Sequence, residues 1–312
     1  MKRFFLKPFR WAAVFSLLLI GSFTYVLLDT FVIPQSLEAA TTVLASENAD
    51  TSGVIAEFDA SAQTSSEATI TDNSYEDENI KISIETLQKY DSTIYVADIQ
   101  VSDVSYLQTA LANDTYGKNI KETTSDIASS HNAIFAVNGD YYGFRNSGYV
   151  LRNGNLYRDT ADSSGDTEAL VIDENGDFSI ISERETAVSS LNTEDVWQIF
   201  SFGPALIEEG QIAVDSSSEV SQSKTNNPRT AIGQISELHY VIIVSDGRTS
   251  ESEGLSLLEL AQEFQERDCT TAYNLDGGGS STMYFNGEVI NNPTNGKNMG
   301  EREVSDIVYI GY

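Results

Sequence analysis

Apolar and polar positions divide the chain into three stretches. The first, Trp11 to Leu28, contains no charged residue. Eighteen helical residues span roughly 27 Å, and Phe31 to Ile33 extend the run past Asp29, enough to cross a bilayer. The second, Gln35 to about Asn79, is rich in Ser, Thr, Ala, Asp and Glu, with Phe58 and Tyr75 as its two aromatic residues. A stretch of that kind buries too little apolar surface to offset its ordering entropy, so it reads as a flexible stalk. From Ile80 onward, Lys81–Glu85 and Thr93–Val101 alternate or are dense in β-branched residues, as strands are. The division predicts a tail over 1–10, a transmembrane signal-anchor over 11–33, a stalk over 34–79 and a folded body over 80–312.

Within the body, Asn153-Gly154 and Asn175-Gly176 sit between strand-like runs. Both residues of such a pair tolerate positive φ, which makes these hairpin turns. Residues 173–177 also imitate the start of a calcium loop. They lack Gly at the sixth position (Phe178) and Glu at the twelfth, so a hairpin is the better reading. Thr123 to His131 is one helix candidate. A second runs through Leu255, Leu258, Ala261 and Phe264, with Glu259, Gln262, Glu263 and Glu266 on its wet face. Strands outnumber helices and the two do not alternate. The expected fold is α+β, a mixed, mostly antiparallel sheet with few helices, behind an N-terminal transmembrane helix and a disordered stalk.

Charge adds direction. The net charge is −29, yet Lys2, Arg3, Lys7 and Arg10 all precede the first acidic residue, Asp29. Basic residues ahead of an apolar run predict a cytoplasmic N-terminus and an extracellular body, a single-pass type II arrangement. A cleaved signal peptide is the rival, but the nearest small-residue cleavage pattern, Val43-Leu44-Ala45, lies far beyond the apolar run. Setting the four basic residues aside leaves 14 basic against 47 acidic side chains. So acidic a body repels phosphate backbones, which excludes nucleic acid as an expected partner. The single cysteine, Cys269, permits no intramolecular disulfide and reads as a small buried apolar residue. His131 and His239 are too few for a His-rich metal site, and no metal or cofactor is expected.

Four segments interrupt apolar strands with polar and glycine residues. In AIFAVNGDYYGF an apolar strand runs into Asn138, Gly139 and Asp140, then Tyr141. Polar groups at a strand end beside rings suit a sugar, with a packed turn as the alternative. In NNPRTAIGQ, Pro228 fixes the backbone before Arg229, an anion clamp or a structural salt bridge. In YNLDGGGSSTMYFNG, Gly277, Gly278 and Gly279 follow Asp276 and precede Ser280. Such glycines let a backbone approach a ligand and can form an anion-binding nest, and Asp276 would stand beside it; a ligand-free turn is the alternative. In GEREVSDIVYIGY, Glu301, Arg302, Ser305 and Asp306 lead into the last strand, which by itself reads as a solvated turn.

Taken together and in this order, AVNGDYY, GYVLRNGNLYR, NPRTAIGQ, LDGGGSSTM and EREVSDIVYIGY resemble the phosphodiester glycosidase family. The resemblance covers roughly Asn132 to Tyr312. It implies hydrolysis of a glycosidic bond whose leaving group is a phosphate monoester, in a cell-surface or exopolysaccharide glycan. It implies Asp276 as nucleophile or base and Asp140 as its partner carboxylate. Arg229 and the N–H groups of Gly277 to Gly279 would take the phosphate; Asn138, Tyr141, Ser280 and Arg302 would line the pocket. The animal enzyme of the family has a second Gly where this chain has Asp140, so the family pattern supports Asp276 more directly. A different class stays open beside it, a non-catalytic surface glycan-binding or polymer-assembly factor using the same pocket.

Overall fold

Ile80, Ile82 and Ile84 are buried while Lys81, Ser83 and Glu85 face water. That period of two places one face of the strand Ile80–Lys89 on a core. Its neighbour Ser92–Val101 is buried on both faces and lies further inside. The structure, a computed structural model, describes residues 8–40, 68–165, 167–218 and 226–312. The basic residues at 2, 3 and 7, and residues 41–67 of the expected stalk, lie outside the described residues.

The two strands belong to a nine-stranded sheet. Its order is Gln211–Ile212, Ala205–Glu208, Thr271–Asn274, Arg229–Ser236, His239–Ser245, Ser92–Val101, Ile80–Lys89, Ser74–Glu76 and Thr69–Ile70. A five-stranded sheet runs Glu288–Val289, Met283–Phe285, Phe135–Asn138, Asp306–Ile310 and Leu107–Leu111. A second five-stranded sheet runs Asn155–Arg158, Val150–Arg152, Val196–Phe200, Glu168–Asp173 and Phe178–Ser182. The pairings among the described residues are antiparallel. The fold is therefore α+β with mostly antiparallel sheets, as the sequence pattern predicts.

One face of the large sheet (Tyr95, Ala97, Ile99, Ile242) packs on Phe135, Val137, Leu170, Phe200 and Val308 from the smaller sheets. The other face (Ile94, Val96, Ala231, Val241, Ile243) is covered by Leu257, Leu260, Ala261 and Phe264 of the helix Leu257–Gln265. Ser256 caps that helix in a reciprocal box with Glu259, which fixes where it starts. Cys269 packs in this layer, and burial pushes its thiol up to about 12, as an inert apolar residue requires. The helix Thr124–Ser130, capped by Thr123, lays Ile127 and Ala128 on the back of the Phe135–Asn138 sheet.

The Asn-Gly turns behave as their chemistry dictates. Asn153 and Gly154 both have positive φ and close a hairpin, and Gly176 does so in the next. In that second turn Asp173 Oδ1 accepts from the N–H groups of Asn175 and Asp177, so the calcium-like string is an Asx-stabilised hairpin.

Two local expectations differ from the structure. Glu263 is buried, not wet: it pairs with Lys89 at 2.5 Å and Arg267 at 2.9 Å, and Lys89 comes from a distant strand that helical periodicity does not reveal. The segment 34–79, expected as a stalk, also contains paired strands at both ends. Thr69–Ile70 and Ser74–Glu76 add edge strands to the large sheet, and Gln35–Ser36 pairs with Gly117–Lys118. Edge strands need backbone partners more than apolar side chains, so a polar composition does not forbid them. The helix Pro8–Phe31 is exposed, long and apolar enough to cross a membrane, with a mean hydropathy of 2.0 over an 18-residue window within Phe9–Phe31.

Candidate active site

Three strand ends converge. Asn138 ends the central strand of the five-stranded sheet, Asn274 ends a strand of the large sheet, and Asp306 begins the last strand. Asn138 joins them. Its Nδ2 donates to Asp276 O at 2.6 Å and to Gly139 O at 3.1 Å; its Oδ1 accepts from Thr230 Oγ1 at 2.8 Å and Thr282 N at 3.3 Å. With all four bonds inside the protein, Asn138 lies behind the site and holds its parts together. Main-chain bonds reinforce it, Gly139 N to Asp306 O at 3.0 Å and Asp276 N to Gly139 O at 3.3 Å. A side chain at position 139 would sit 2.4 Å from Asp306 Oδ1, which is why only glycine fits there.

Asp140 is buried and held on both oxygens. Oδ1 accepts from Tyr142 N at 3.0 Å, Oδ2 from Ser201 N at 3.0 Å, and Arg152 Nη2 stands 2.9 Å from Oδ2. The same guanidinium reaches Asp306 Oδ2 through Nε at 2.9 Å and lies over the Phe200 ring at 4.4 Å. Two buried carboxylates thus share one cation. Burial foremost, and then the charge of Asp140, push Asp306 up to about 7, with Arg152 opposing.

Asp276 is differently placed. Its Oδ2 accepts from Ser280 Oγ at 2.6 Å and from Arg302 Nη2 at 2.8 Å, and Arg302 Nε also donates to Ser280 Oγ at 3.0 Å. Burial raises this carboxyl above its ordinary value; Arg302 and Ser280 pull the other way. Asp276, Ser280, Arg302, Asp140 and Tyr141 line one cavity of about 190 Å³, together with Lys121, Phe144 and Ser305. That is smaller than the roughly 300–1,000 Å³ typical for drug-sized ligands, so it suits a small polar unit. Tyr141 stacks on Phe144 at 4.7 Å between ring centroids, giving the cavity an aromatic wall.

The glycine turn and Arg229 lie elsewhere than a simple phosphate cradle would require. Gly278 N–H is taken by Pro228 O at 2.8 Å, and the N–H groups of Ser280 and Ser281 close the turn on Gly277 O and Gly278 O. A side chain on Gly277 would meet Pro228 O at 2.8 Å, and one on Gly279 would crowd Arg302 Cδ at 3.3 Å. These glycines allow close packing of the turn. Arg229 is buried, its Nε donating to Leu255 O at 2.9 Å, and it is not among the residues lining the cavity. Besides Arg302, a second cation beside the turn is Arg248, whose Nη2 is 2.7 Å from where a Gly278 Cβ would be. Burial and the charge of Arg302 lower its pKa, while Asp276 opposes. Arg248 follows the polar end of the strand His239–Ser245; that strand-end position is the sequence signal for it. Glu301 points away, accepting from Ser125 N at 3.0 Å at the start of a helix.

Residues 131–311 match the family described as phosphodiester glycosidase. The SPbeta prophage-derived uncharacterized protein YomE of Bacillus subtilis (strain 168) is 32% identical over 203 residues, 63% of this chain and 31% of that protein. The N-acetylglucosamine-1-phosphodiester alpha-N-acetylglucosaminidases of Mus musculus and Homo sapiens are 28% and 29% identical over 196 and 189 residues, in each case 56% of this chain and 36% of the relative. The chain thus spans about a third of the length of the curated relatives it matches. Among solved structures, the zebrafish N-acetylglucosamine-1-phosphodiester alpha-N-acetylglucosaminidase catalytic domain, auto-inhibited by its pro-peptide, superposes with a TM-score of 0.58 at 21% identity. It covers 75% of this chain and 83% of that one. That likeness is one of fold.

Proposed function

The chain belongs to the phosphodiester glycosidase family, and from that premise we propose that it hydrolyses a sugar-1-phosphate diester in a cell-surface glycan. The observation that carries this is the pair of carboxylates in one small cavity: Asp276 bonded to Ser280 and Arg302, and Asp140 held by Arg152. The bond broken is that between the sugar C1 and the phosphate oxygen. Water supplies the new oxygen at C1, and its proton leaves through a carboxylate. The leaving phosphate monoester is already a weak base, so no strong acid is needed opposite it. Asp276, which faces the cavity from the glycine turn, is assigned as nucleophile or base, with Asp140 as partner carboxylate. Arg302 and Arg248 flank that turn and are assigned to the phosphate; Arg229, behind them, supports the Leu255 loop. Tyr141 and Phe144 offer faces to the sugar.

The helix Pro8–Phe31 is assigned as a single membrane span with the body outside the cell, on the strength of the basic residues ahead of it and the acidic chain behind. The test is turnover by the detergent-solubilised full chain on a panel of hexose- and N-acetylhexosamine-1-phosphate diesters, reading free reducing sugar and phosphate monoester together. Equimolar release that is lost in Asp276→Asn supports the assignment. Saturable binding of the same diesters without turnover would make the protein the non-catalytic glycan factor instead.

A further inference from the structure

We propose that the substrate is held at the membrane: a sugar-1-phosphate diester whose second alcohol is a lipid chain, presented beside the foot of the apolar helix. This rests on the reading above of a hydrolase behind a membrane span. The observation is that the helix does not lead into a free leash. Its last turn is closed by Val32 N and Ile33 N on Leu28 O, and Gln35 Nε2 folds back on Asp29 O at 3.1 Å. The body then grips that foot. Asn119 Nδ2 donates to Thr30 O and Ile33 O, both at 3.2 Å. Gln35–Ser36 pairs with Gly117–Lys118, and Leu37 N and Ala40 N donate to Tyr116 O and Tyr157 O.

The grip is built into the sequence. A side chain at Gly117 would stand 2.1 Å from Gln35 O, so the strand approaches as closely as only glycine allows. Asn119 holds positive φ, a conformation asparagine tolerates better than most residues. Between foot and body lies a cavity of about 270 Å³ lined by Asp29, Phe31 and Gln35 on one side and Tyr141 and Phe144 on the other. Tyr141 and Phe144 are also the aromatic wall of the carboxylate cavity. The two cavities therefore share a wall, and the outer end of the membrane span is a direct neighbour of the site. A soluble diester needs no such arrangement. A lipid-borne one does, because its phosphate stays at the bilayer surface and a body on a long leash would seldom meet it in the right orientation.

The experiment uses the full chain in phosphatidylglycerol–phosphatidylethanolamine vesicles with two substrates of the same sugar, a methyl phosphodiester in solution and a long-alkyl phosphodiester in the same vesicles. The variant carries a Gly/Ser insert of about 30 residues between Ile33 and Pro34, which adds a mean reach of about 30 Å. The alkyl diester should be cleaved roughly tenfold more slowly by the insert variant, and the methyl diester at an unchanged rate. Equal effects on both substrates would overturn the proposal, as would a faster methyl-diester rate, which would make the docked foot an inhibitory plug. If the unmodified chain cleaves neither substrate, the hydrolase reading fails and takes the substrate assignment with it. A second readout needs no turnover. With Phe144→Cys carrying a fluorophore, and Cys269 buried, energy transfer to headgroup-labelled lipid should be strong in the parent and weak in the insert variant. Equal transfer in both would overturn the placement by itself.

Discussion

Replacing Arg152 by leucine removes the guanidinium that stands 2.9 Å from both Asp140 and Asp306. All three groups are buried. Breaking a buried ion pair typically costs about 3–5 kcal/mol, because the remaining charge has lost its compensation. Here two carboxylates are left, so the loss should reach the top of that range, about 5 kcal/mol at pH 8. A domain with a total of about 5–15 kcal/mol would then be close to its folding threshold. The loss should also depend on pH. In the parent, burial and Asp140 push Asp306 up to about 7 while Arg152 pulls it down. Without Arg152, Asp306 holds its proton to higher pH in the folded state, so at pH 5 that buried charge is neutralised and the penalty shrinks. Urea unfolding at pH 5 and pH 8, followed by Trp197 fluorescence beside the core, measures the two gaps. The gap between parent and Arg152→Leu should be wider at pH 8. A loss below about 1 kcal/mol, near what surface changes cost, or an equal loss at both pH values, would refute the buried triad.

Asp276→Asn should leave substrate affinity nearly intact and lower turnover by about a thousandfold or more, since it keeps shape and removes the reacting charge; near-normal turnover in a progress-curve assay would make Asp276 a cap on the glycine turn. Arg302→Ala should weaken phosphodiester binding by about 2 kcal/mol, the low end for a charge-assisted contact because the side chain is 37% exposed. In the same variant the acid limb of the pH–rate profile should move to higher pH, because Arg302 is what opposes the burial-raised pKa of Asp276. Asp306→Asn should change the pH dependence of stability. A raised folded pKa contributes stability that is full below the unfolded value near 4 and is lost as pH rises through about 7. The asparagine variant should therefore gain on the parent across that window, by at most about 1.4 kcal/mol per pH unit, read as converging melting temperatures.

What the sequence made legible was local or punctuated. Asn153-Gly154 specifies a hairpin through the φ preferences of both residues, Gly176 does so alone in the next turn, and Ser256 with Glu259 specifies a helix start. Asp140, Tyr141, Asp276, Ser280 and Arg302 each break an apolar pattern near a strand end, and the structure brings these five into one cavity. Direction was not legible. Asn138 and Arg229 break the pattern equally well, yet Asn138 points back to Thr230 and Asp276, and Arg229 to Leu255. Arg248 reaches the glycine turn only because of how the loop after its strand folds. Arg152 looked like part of a hairpin; its meaning depends on Asp140 and Asp306, 12 residues before it and 154 after it in the chain. Glu263 matched the wet face of a helix until Lys89 arrived from another element. The polar composition of 34–79 did not reveal that its two ends find backbone partners.

The central claim, cleavage at the sugar carbon rather than at phosphorus, is tested most directly by hydrolysis in oxygen-18 water. A sugar-1-phosphate diester is digested by the full chain, and mass spectrometry locates the label in the two products. Attack at C1 places the heavy oxygen in the released sugar and leaves the phosphate monoester unlabelled. Label in the phosphate would mean that the P–O bond breaks, which contradicts a glycosidase built on Asp276 and Asp140.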